Sequence, residues 1–332
     1  MHITVPAGGV GGARFLRGLI AEAPDAEITV IGNTGDDITL FGLHVSPDLD
    51  TVMYTLGGGI NEEQGWGRTA DTYHVLRELA AYGAGPDWFS LGDADIATHL
   101  YRTSMLAAGL PLSAAPAGTA PPWRPGVTLL PMSDDRVETH VVLAGGGAGG
   151  GATGGATHGT GNEAGRTVHF QEWWVRMGAG MPAAGFDFAG AAQATPAPGV
   201  LEALAEADFV LLPPSNPVVS IGTILAVPGI AAAMRAKTVV GVSPIIGGAP
   251  VRGMADKCLA ALGVPATAVG VAAHYGPEFL DGWLVDEQDK AAADAPELAG
   301  ITVRALPLYM SSPAARAIAA VAALDLAGEL RK

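Results

Sequence analysis

The chain has 332 residues, 49% of them hydrophobic and only 15% charged, which supplies a sizeable core and excludes a chain disordered throughout. Eighteen Lys and Arg against 33 Asp and Glu leave a formal net charge of -15. That balance offers no basic stripe to a nucleic acid and is repelled by an acidic membrane surface, so a phosphorylated ligand would need backbone N–H groups, a few local cations or a metal.

In chain order, "HITV" reads as a short strand. A glycine turn follows, then "ARFLRGLIAEA", whose Phe15, Leu16, Leu19 and Ile20 recur with helical spacing. "EITVIGN" is a second strand, so residues 1–33 form a β-α-β unit that favours a parallel sheet. "DTYHVLRELAAYG" is an amphipathic helix closed by Gly83; "DWFSLGD" is strand-like and "ATHLYRTSMLAAG" helical. The middle of the chain changes character. "GVTLLPMSD" and "VETHVVLA" alternate like antiparallel strands, and a low-complexity glycine-rich stretch at about 145–165 separates the second from "RTVHFQEWWV". That stretch reads as a flexible hairpin tip, because phosphate-binding loops are short and lead into a helix start.

From residue 200 the α/β alternation returns. "VLEALAEA" is a helix, "DFVLLPPSNP" and "TVVGVSPIIGG" are strands running into turns, and "MADKCLAALG" is a helix. "ATAVGVAAHYG" and "GWLVDEQD" read as strands, and "ITVRALPLYM" precedes a closing helix, "SPAARAIAAVAALDLAGEL". The expected architecture is α/β: a Rossmann-like, mostly parallel sheet flanked by helices, with a smaller β-rich middle segment. Residues 1–110 and 199–332 would form the nucleotide-binding core and 111–198 the middle subdomain. Cys258 is the single cysteine, the N-terminus lacks the pattern of a signal peptide, and no apolar run reaches membrane-spanning length. A cytoplasmic protein without a membrane partner is expected.

In an open parallel sheet, ligands bind beyond the carboxyl ends of the strands. Five turns there are small, polar or acidic: "AGGVGGA", "NTGDD", "LGDAD", "PPSNP" and "SPIIGG". Gly9 and Gly11 satisfy the first two positions of the dinucleotide fingerprint. The third falls on Arg14, and the second strand ends in Asn33 rather than an acid, which weakens a nicotinamide reading. What survives is an anion site at a helix N-terminus, with Gly12 in the turn and Arg14 as an added charge, or else a tight turn without ligand. Asp36, Asp37, Asp48 and Asp50 crowd one short span, and oxygen-only clusters suit Mg²⁺. Ser46 or Asp48 could instead cap a helix at "SPDLDT", and Asp36 or Asp50 could act as a general base. Ser215 and Asn216 read as ligand donors on a proline-fixed loop, against the alternative of an Asx turn. Ser243, Gly247 and Gly248 repeat that logic. Asp93 is read as a capping residue and His99 as a packed histidine. Trp66, Trp173 and Trp174 are candidates for stacking on a ring, with core packing expected for at least one of the adjacent pair.

Together, "GGVGGARFL", "NTGDD", "SPDLDTVMYTLGGG", "GWG", "LGDADIATH", "LPMSDD", "HFQEWW", "PSNPVVSIG" and "SPIIGGAPVRGMADK" resemble the 2-phospho-L-lactate transferase family of coenzyme F420 biosynthesis, from residue 1 to about residue 315. "YTLGGGINEEQGWG", "HFQEWWVR" and "LDGWLV" are more similar to its actinobacterial phosphoenolpyruvate transferase branch. The resemblance implies that the ribityl hydroxyl of the deazaflavin Fo attacks the terminal phosphate of a guanosine diphosphate derivative carrying enolpyruvyl or lactyl, releasing GMP. It also implies Mg²⁺, a guanine nucleotide at the glycine turn and the PSNP loop, and a homodimer. Asp50 matches an Fo-site and metal-site aspartate and Asp36 a metal-site aspartate, with Asp37 beside it. Ser90 falls on a second Fo position where some members have Lys, and Trp66 joins that site. Asp50→Asn should then abolish transfer with the fold intact. The alternatives are a nucleotide-sugar-binding regulator of the same superfamily and an NAD(P)-dependent oxidoreductase.

Overall fold

A computed structural model describes residues 1–114, 123, 126–145 and 165–331. The strands are β1 (His2–Ala7), β2 (Glu27–Gly32), β3 (Ile38–Leu40), β4 (Leu43–Val45), β5 (Thr128–Pro131), β6 (Glu138–Leu143), β7 (Thr167–His169), β8 (Ala183–Ala189), β9 (Phe209–Leu212), β10 (Val239–Val242), β11 (Ile245–Ile246), β12 (Ala249–Pro250), β13 (Gly282–Val285) and β14 (Thr302–Ala305). The helices are α1 (Gly9–Glu22), α2 (Pro47–Leu56), α3 (His74–Ala81), α4 (Asp93–Ala107), α5 (Val200–Glu206), α6 (Thr223–Ala226), α7 (Ile230–Arg235), α8 (Ala255–Ala261), α9 (Ala268–Tyr275) and α10 (Pro313–Glu329). None among the described residues is long and apolar enough to cross a membrane.

Seven strands form one parallel sheet in the order β14-β13-β10-β9-β1-β2-β5. Its central strands are near-continuous apolar runs, the mark of a sheet covered on both faces. Alternate residues divide between two cores, as the strand period requires. Phe209 and Leu211 of β9 face α1, α2 and α10, with Phe15, Leu49 and Ala323; Val210 and Leu212 face the opposite layer, with Leu204, Met234, Leu259 and Val271. Gly18 lets α1 approach α10 until backbone meets backbone, since a Cβ there would strike the Arg316 carbonyl. The smaller sheets are antiparallel: β7-β6-β8, β3-β4 and β11-β12.

Four local readings need correction. "GVTLLPMSD" supplies β5, a parallel edge strand on β2 rather than an antiparallel one. "ATAVGVAAHYG" is helix α9, N-capped by Thr267 Oγ1, which accepts the Gly270 N–H at 2.9 Å; its uniform small apolar residues carry no period. "DWFSLGD" forms bends without strand pairing. In "RTVHFQEWWV" only Thr167–His169 is strand, and the chain then turns into a π-helical segment, Glu172–Arg176. The hairpin reading of its flanks holds, because β6 and β7 pair antiparallel. Most of the glycine-rich stretch between them, residues 146–164, lies outside the described residues.

Candidate active site

The strand order reverses between β1 and β9, and a crevice opens beyond their carboxyl ends, where a doubly wound sheet places its ligands. Two chambers of about 230 and 280 Å³ meet there. They share Gly9, Val10, Asp36, Asp48, Trp66, Phe170 and Trp174. The first extends to Asp50, Tyr54, Ser90, Asp95 and His99; the second to Gly11, Pro214, Ser215, Asn216 and Arg252.

The glycine turn is built for contact with the loop after β9. A Cβ on Gly11 would collide with the Pro214 carbonyl, and one on Gly12 would lie 2.7 Å from Ser215 Oγ. Gly9 takes φ +65, a backbone shape that glycine adopts without strain. The first amides of a helix have no intrahelical partner. Here the Gly8 N–H donates to Ser215 Oγ at 3.2 Å and the Gly9 N–H to Asp48 Oδ1 at 2.8 Å. Val10 and Gly11, next along α1, line the crevice with the amides that remain for an anion.

Ser215 and Asn216, expected as ligand donors, line the second chamber and also hold their own loop in shape. Ser215 Oγ donates to the Gly8 carbonyl at 2.7 Å. Asn216 caps the π-helical turn Pro217–Gly222, its Oδ1 accepting the Val218 and Val219 N–H groups at 2.9 and 3.2 Å. Both side chains thus shape the loop with which they line the second chamber. Asp48 is likewise no cap for its own helix. It ties the glycine turn to β2, accepting from Asn33 Nδ2 at 2.9 Å as well as from Gly9. Ser46, at the N-cap position, donates instead to Asp37 Oδ2 at 2.8 Å.

The four aspartates separate by direction. Asp36 is buried and lines both chambers, and its Oδ1 has no protein partner. Burial holds its carboxyl well above the usual range, and the nearby Asp48 charge adds to that. Asp37 lines a different cavity, with Thr34 and Asp134, and its Oδ2 is held by His44 Nε2 at 2.9 Å. Asp50 lies at the base of the first chamber in a buried ion pair with Arg102, which donates from Nη1 at 3.0 Å and also from Nη2. Asp36 and Asp50 thus line one chamber while Asp37 lines another cavity, and no group of three or more His, Cys, Asp or Glu with metal-ligand geometry occurs among the described residues. A Mg²⁺ ion that keeps most of its water and uses substrate phosphates needs only one or two protein carboxylates. The unpartnered Asp36 oxygen, with Asp48 close by, fits that requirement in the crevice; Asp37 also has an unpartnered oxygen, Oδ1, but lines the other cavity, and Asp50 is held by the Arg102 guanidinium.

Around Asp50 runs a buried polar chain of which the sequence names only His99. His99 Nδ1 lies 3.6 Å from Asp50 Oδ2, and its Nε2 lies 3.3 Å from Asp95 Oδ1. Tyr54 donates its hydroxyl to Asp95 Oδ1 at 2.7 Å. Burial pushes Asp95 up, but His99, Tyr54 and the Arg102 charge outweigh it and leave the carboxyl below its ordinary value. The start of α4 is pinned by reciprocal caps. Asp71 accepts the Ala94 and Asp95 amides at 2.8 and 3.1 Å, while Asp93 accepts those of His74 and Val75 at 3.0 and 2.9 Å.

Asp93 and His99 thus take the capping and packed roles read from sequence, although His99 packs between carboxylates. Trp173 is fully buried and Trp174 faces the crevice, which divides the pair between core and site. Ser90 is exposed on the rim of the first chamber. Arg14 lies outside both chambers, near enough to Arg252 to lower its pKa, after burial, which lowers it most. Gly247 and Gly248, at φ +58 and +83, are the two-residue turn of the β11–β12 hairpin and reach neither chamber; Ser243 Oγ bonds locally to the Ile245 carbonyl at 2.8 Å. Gly-Gly between strands is a hairpin signal of its own.

Burial of Asp48 has a measurable consequence. Its carboxyl is pushed up to about 6, chiefly by burial, against hydrogen bonds from Asn33 and Gly9. A carboxyl raised above its unfolded value of about 4 binds a proton more tightly in the fold, so stability falls as pH rises from about 4 through about 6. The fall from this group amounts to up to about 3 kcal/mol. Urea unfolding of the wild type should show that decline, and Asp48→Asn should make it shallower, Asp36 and Asp37 still contributing in the same direction. Parallel profiles for the two proteins would refute this assignment.

Comparison with known proteins shows the family to which the chain belongs. The family model "2-phospho-L-lactate transferase CofD" matches residues 3–302. Proteins named phosphoenolpyruvate transferase are similar over the whole chain. That of Thermobifida fusca is 61% identical, covering 100% of this chain and 99% of its own, and that of Streptomyces griseus is 61% identical, covering 100% of each. One from Mycobacterium sp. (strain KMS) is 50% identical, covering 99% of each chain. Two solved structures of protein BH3568 from Bacillus halodurans, described in one as a UPF0052 family member, superpose with TM-scores of 0.59 and 0.60. Each is 17% identical and covers 97% of this chain and 99% or 98% of its own, a likeness that speaks to the fold alone. Full-length similarity to transferases sets aside both the regulator and the oxidoreductase readings. The chain belongs to the 2-phospho-L-lactate transferase CofD family and is a phosphoenolpyruvate/2-phospho-L-lactate-type transferase with a phosphotransfer role in coenzyme F420 biosynthesis.

Proposed function

We propose that the protein moves an enolpyruvyl-phosphate group from a guanosine diphosphate derivative to the ribityl hydroxyl of Fo, releasing GMP. The observation that carries this reading is the meeting of two chambers over Asp36, Asp48 and the start of α1. A two-substrate transfer needs such a meeting point, because phosphoryl transfer depends mainly on positioning and charge stabilisation. The second chamber suits the donor: the amides of Val10 and Gly11 lie at a helix N-terminus, and Arg252 supplies a cation in an acidic protein. The first suits the acceptor, with Tyr54, Phe89 and Trp174 beside a planar ring and polar groups at its base.

In this reading Asp50 accepts the hydrogen bond of the attacking hydroxyl. Arg102 fixes the carboxylate from one side and His99 flanks it, so the hydroxyl oxygen is presented in one orientation. Val10 and Gly11 hold the donor phosphates against that line. Mg²⁺ held through Asp36 would offset charge on the phosphoryl oxygens. The enolpyruvyl choice over lactyl rests on the relatives named phosphoenolpyruvate transferase.

The test incubates the protein with Fo, Mg²⁺ and each guanosine diphosphate donor and weighs the products. Dehydro-F420-0 from the enolpyruvyl donor, formed in step with GMP, is the expected result. Adduct from the lactyl donor alone would overturn the donor assignment, and no adduct from either would overturn the reaction.

A further inference from the structure

We infer that Trp66 and Trp174 form a roof that keeps water from the phosphorus under attack, so that the donor is transferred rather than hydrolysed; this rests on the function proposed above. The residues common to the two chambers fall into two chemical groups. Gly9, Val10, Asp36 and Asp48 bring a helix start and carboxylates; Trp66, Phe170 and Trp174 bring aromatic faces. On the proposed function the reacting group lies where both chambers meet, among these residues. Trp66 and Trp174 are 45% and 38% exposed, two large indoles left open at the crevice while Trp173, next in sequence to one of them, is fully buried.

Both indoles are mounted on anchored backbone. Trp174 lies in the Glu172–Arg176 turn, which Trp173 fastens to the core by donating its Nε1–H to the Met181 carbonyl at 2.8 Å. Trp66 sits at the tip of a loop closed by an Ile60–Arg68 bridge, between Gly65 and Gly67 at φ +75 and +67. Asn61 closes that tip, donating its N–H to the Gly67 carbonyl at 3.0 Å and accepting the Gly65 N–H at 2.7 Å. Arg252, a lining residue of the second chamber, donates to the carbonyls of Glu63 and Gln64 and so ties the Trp66 loop to the 251–254 segment.

The chemistry makes such a roof useful. In transfer, the ribityl oxygen forms a bond to phosphorus, the bond from phosphorus to the bridging oxygen breaks, its electron pair leaves on GMP, and the hydroxyl proton is released. Water in the same position balances identically and yields free substituted phosphate and GMP. Closed sites suppress this side reaction by excluding water. Indole suits the task, because its Nε1–H only donates and offers no base to a water molecule.

The experiment compares wild type with Trp66→Ala, Trp174→Ala and the double variant, using the guanosine diphosphate donor and Mg²⁺, with and without Fo. GMP and Fo adduct are both counted, and thermal melts check the fold. In the double variant, GMP release without Fo should rise about tenfold or more, and adduct formed per GMP should fall well below the wild-type ratio. Trp→Phe at both positions should restore the ratio, and it also serves if an alanine variant fails to fold. Slower transfer with unchanged Fo-independent GMP release would show stacking alone and overturn the roof. A wild type that forms no adduct would instead overturn the parent reading, and this one with it.

Discussion

Asp36→Asn should cost about 10²–10³-fold in transfer rate while the melting temperature stays at or above that of the wild type. The two effects have one cause. Burial raises the Asp36 carboxyl well above its usual range, and one of its oxygens finds no protein partner. A buried, unpaired carboxylate opposes folding, so the neutral amide relieves the fold as it removes the charge that suits a metal. Mg²⁺ should raise the melting temperature of the wild type, as any ligand of the native state does, and leave the variant unchanged. A variant that keeps full activity in saturating Mg²⁺ would remove Asp36 from the site.

The second large effect has the opposite signature. Asp50→Asn should abolish transfer and also destabilise the protein by about 3–5 kcal/mol. This departs from the sequence-based expectation of an intact fold, and the reason is Arg102. That side chain is 4% exposed, and the Asp50 charge opposes the burial that would otherwise lower its pKa. Removing one member of a buried pair leaves the other without compensation. Asp50→Asn combined with Arg102→Met should regain much of the stability and none of the activity. Chemical denaturation and the Fo assay read the two quantities separately. An Asp50→Asn protein as stable as wild type would refute the energetic role of the pair.

The α/β alternation was legible because strands such as "DFVLL" and helices such as "ARFLRGLIAEA" carry strong patterns. Helix α9 was not, since a run of alanine, valine and glycine has no polar face to mark a period. The crevice was legible as a set of turns, but the direction of each side chain was not. Asp36 and Asp37 are neighbours in sequence and line different cavities. Ser215 and Asn216 have the composition of a ligand loop and spend their polar atoms holding its shape. Arg102 escaped notice because its partner lies 52 positions away. A signal was present: Asp95, His99 and Arg102 follow one another at i, i+4 and i+7, one face of α4. Three ionisable groups on one face of a helix ask for a buried polar partner, and Asp50 is that partner.

The hydrogen bonds between Ser215 and Gly8 span 207 positions, and the bond from Asn33 to Val219 spans 186. At a synthesis rate of about 5–20 residues per second, roughly 10–40 s separate the emergence of the glycine turn from that of the loop that completes it. During that interval β1, α1 and β2 can pair, yet the turn lacks the wall against which its glycines fit. The crevice is therefore a late product of the chain's own synthesis. An N-terminal fragment ending before residue 213 would carry Asp36, Asp48 and Asp50 and still have no complete place for a nucleotide.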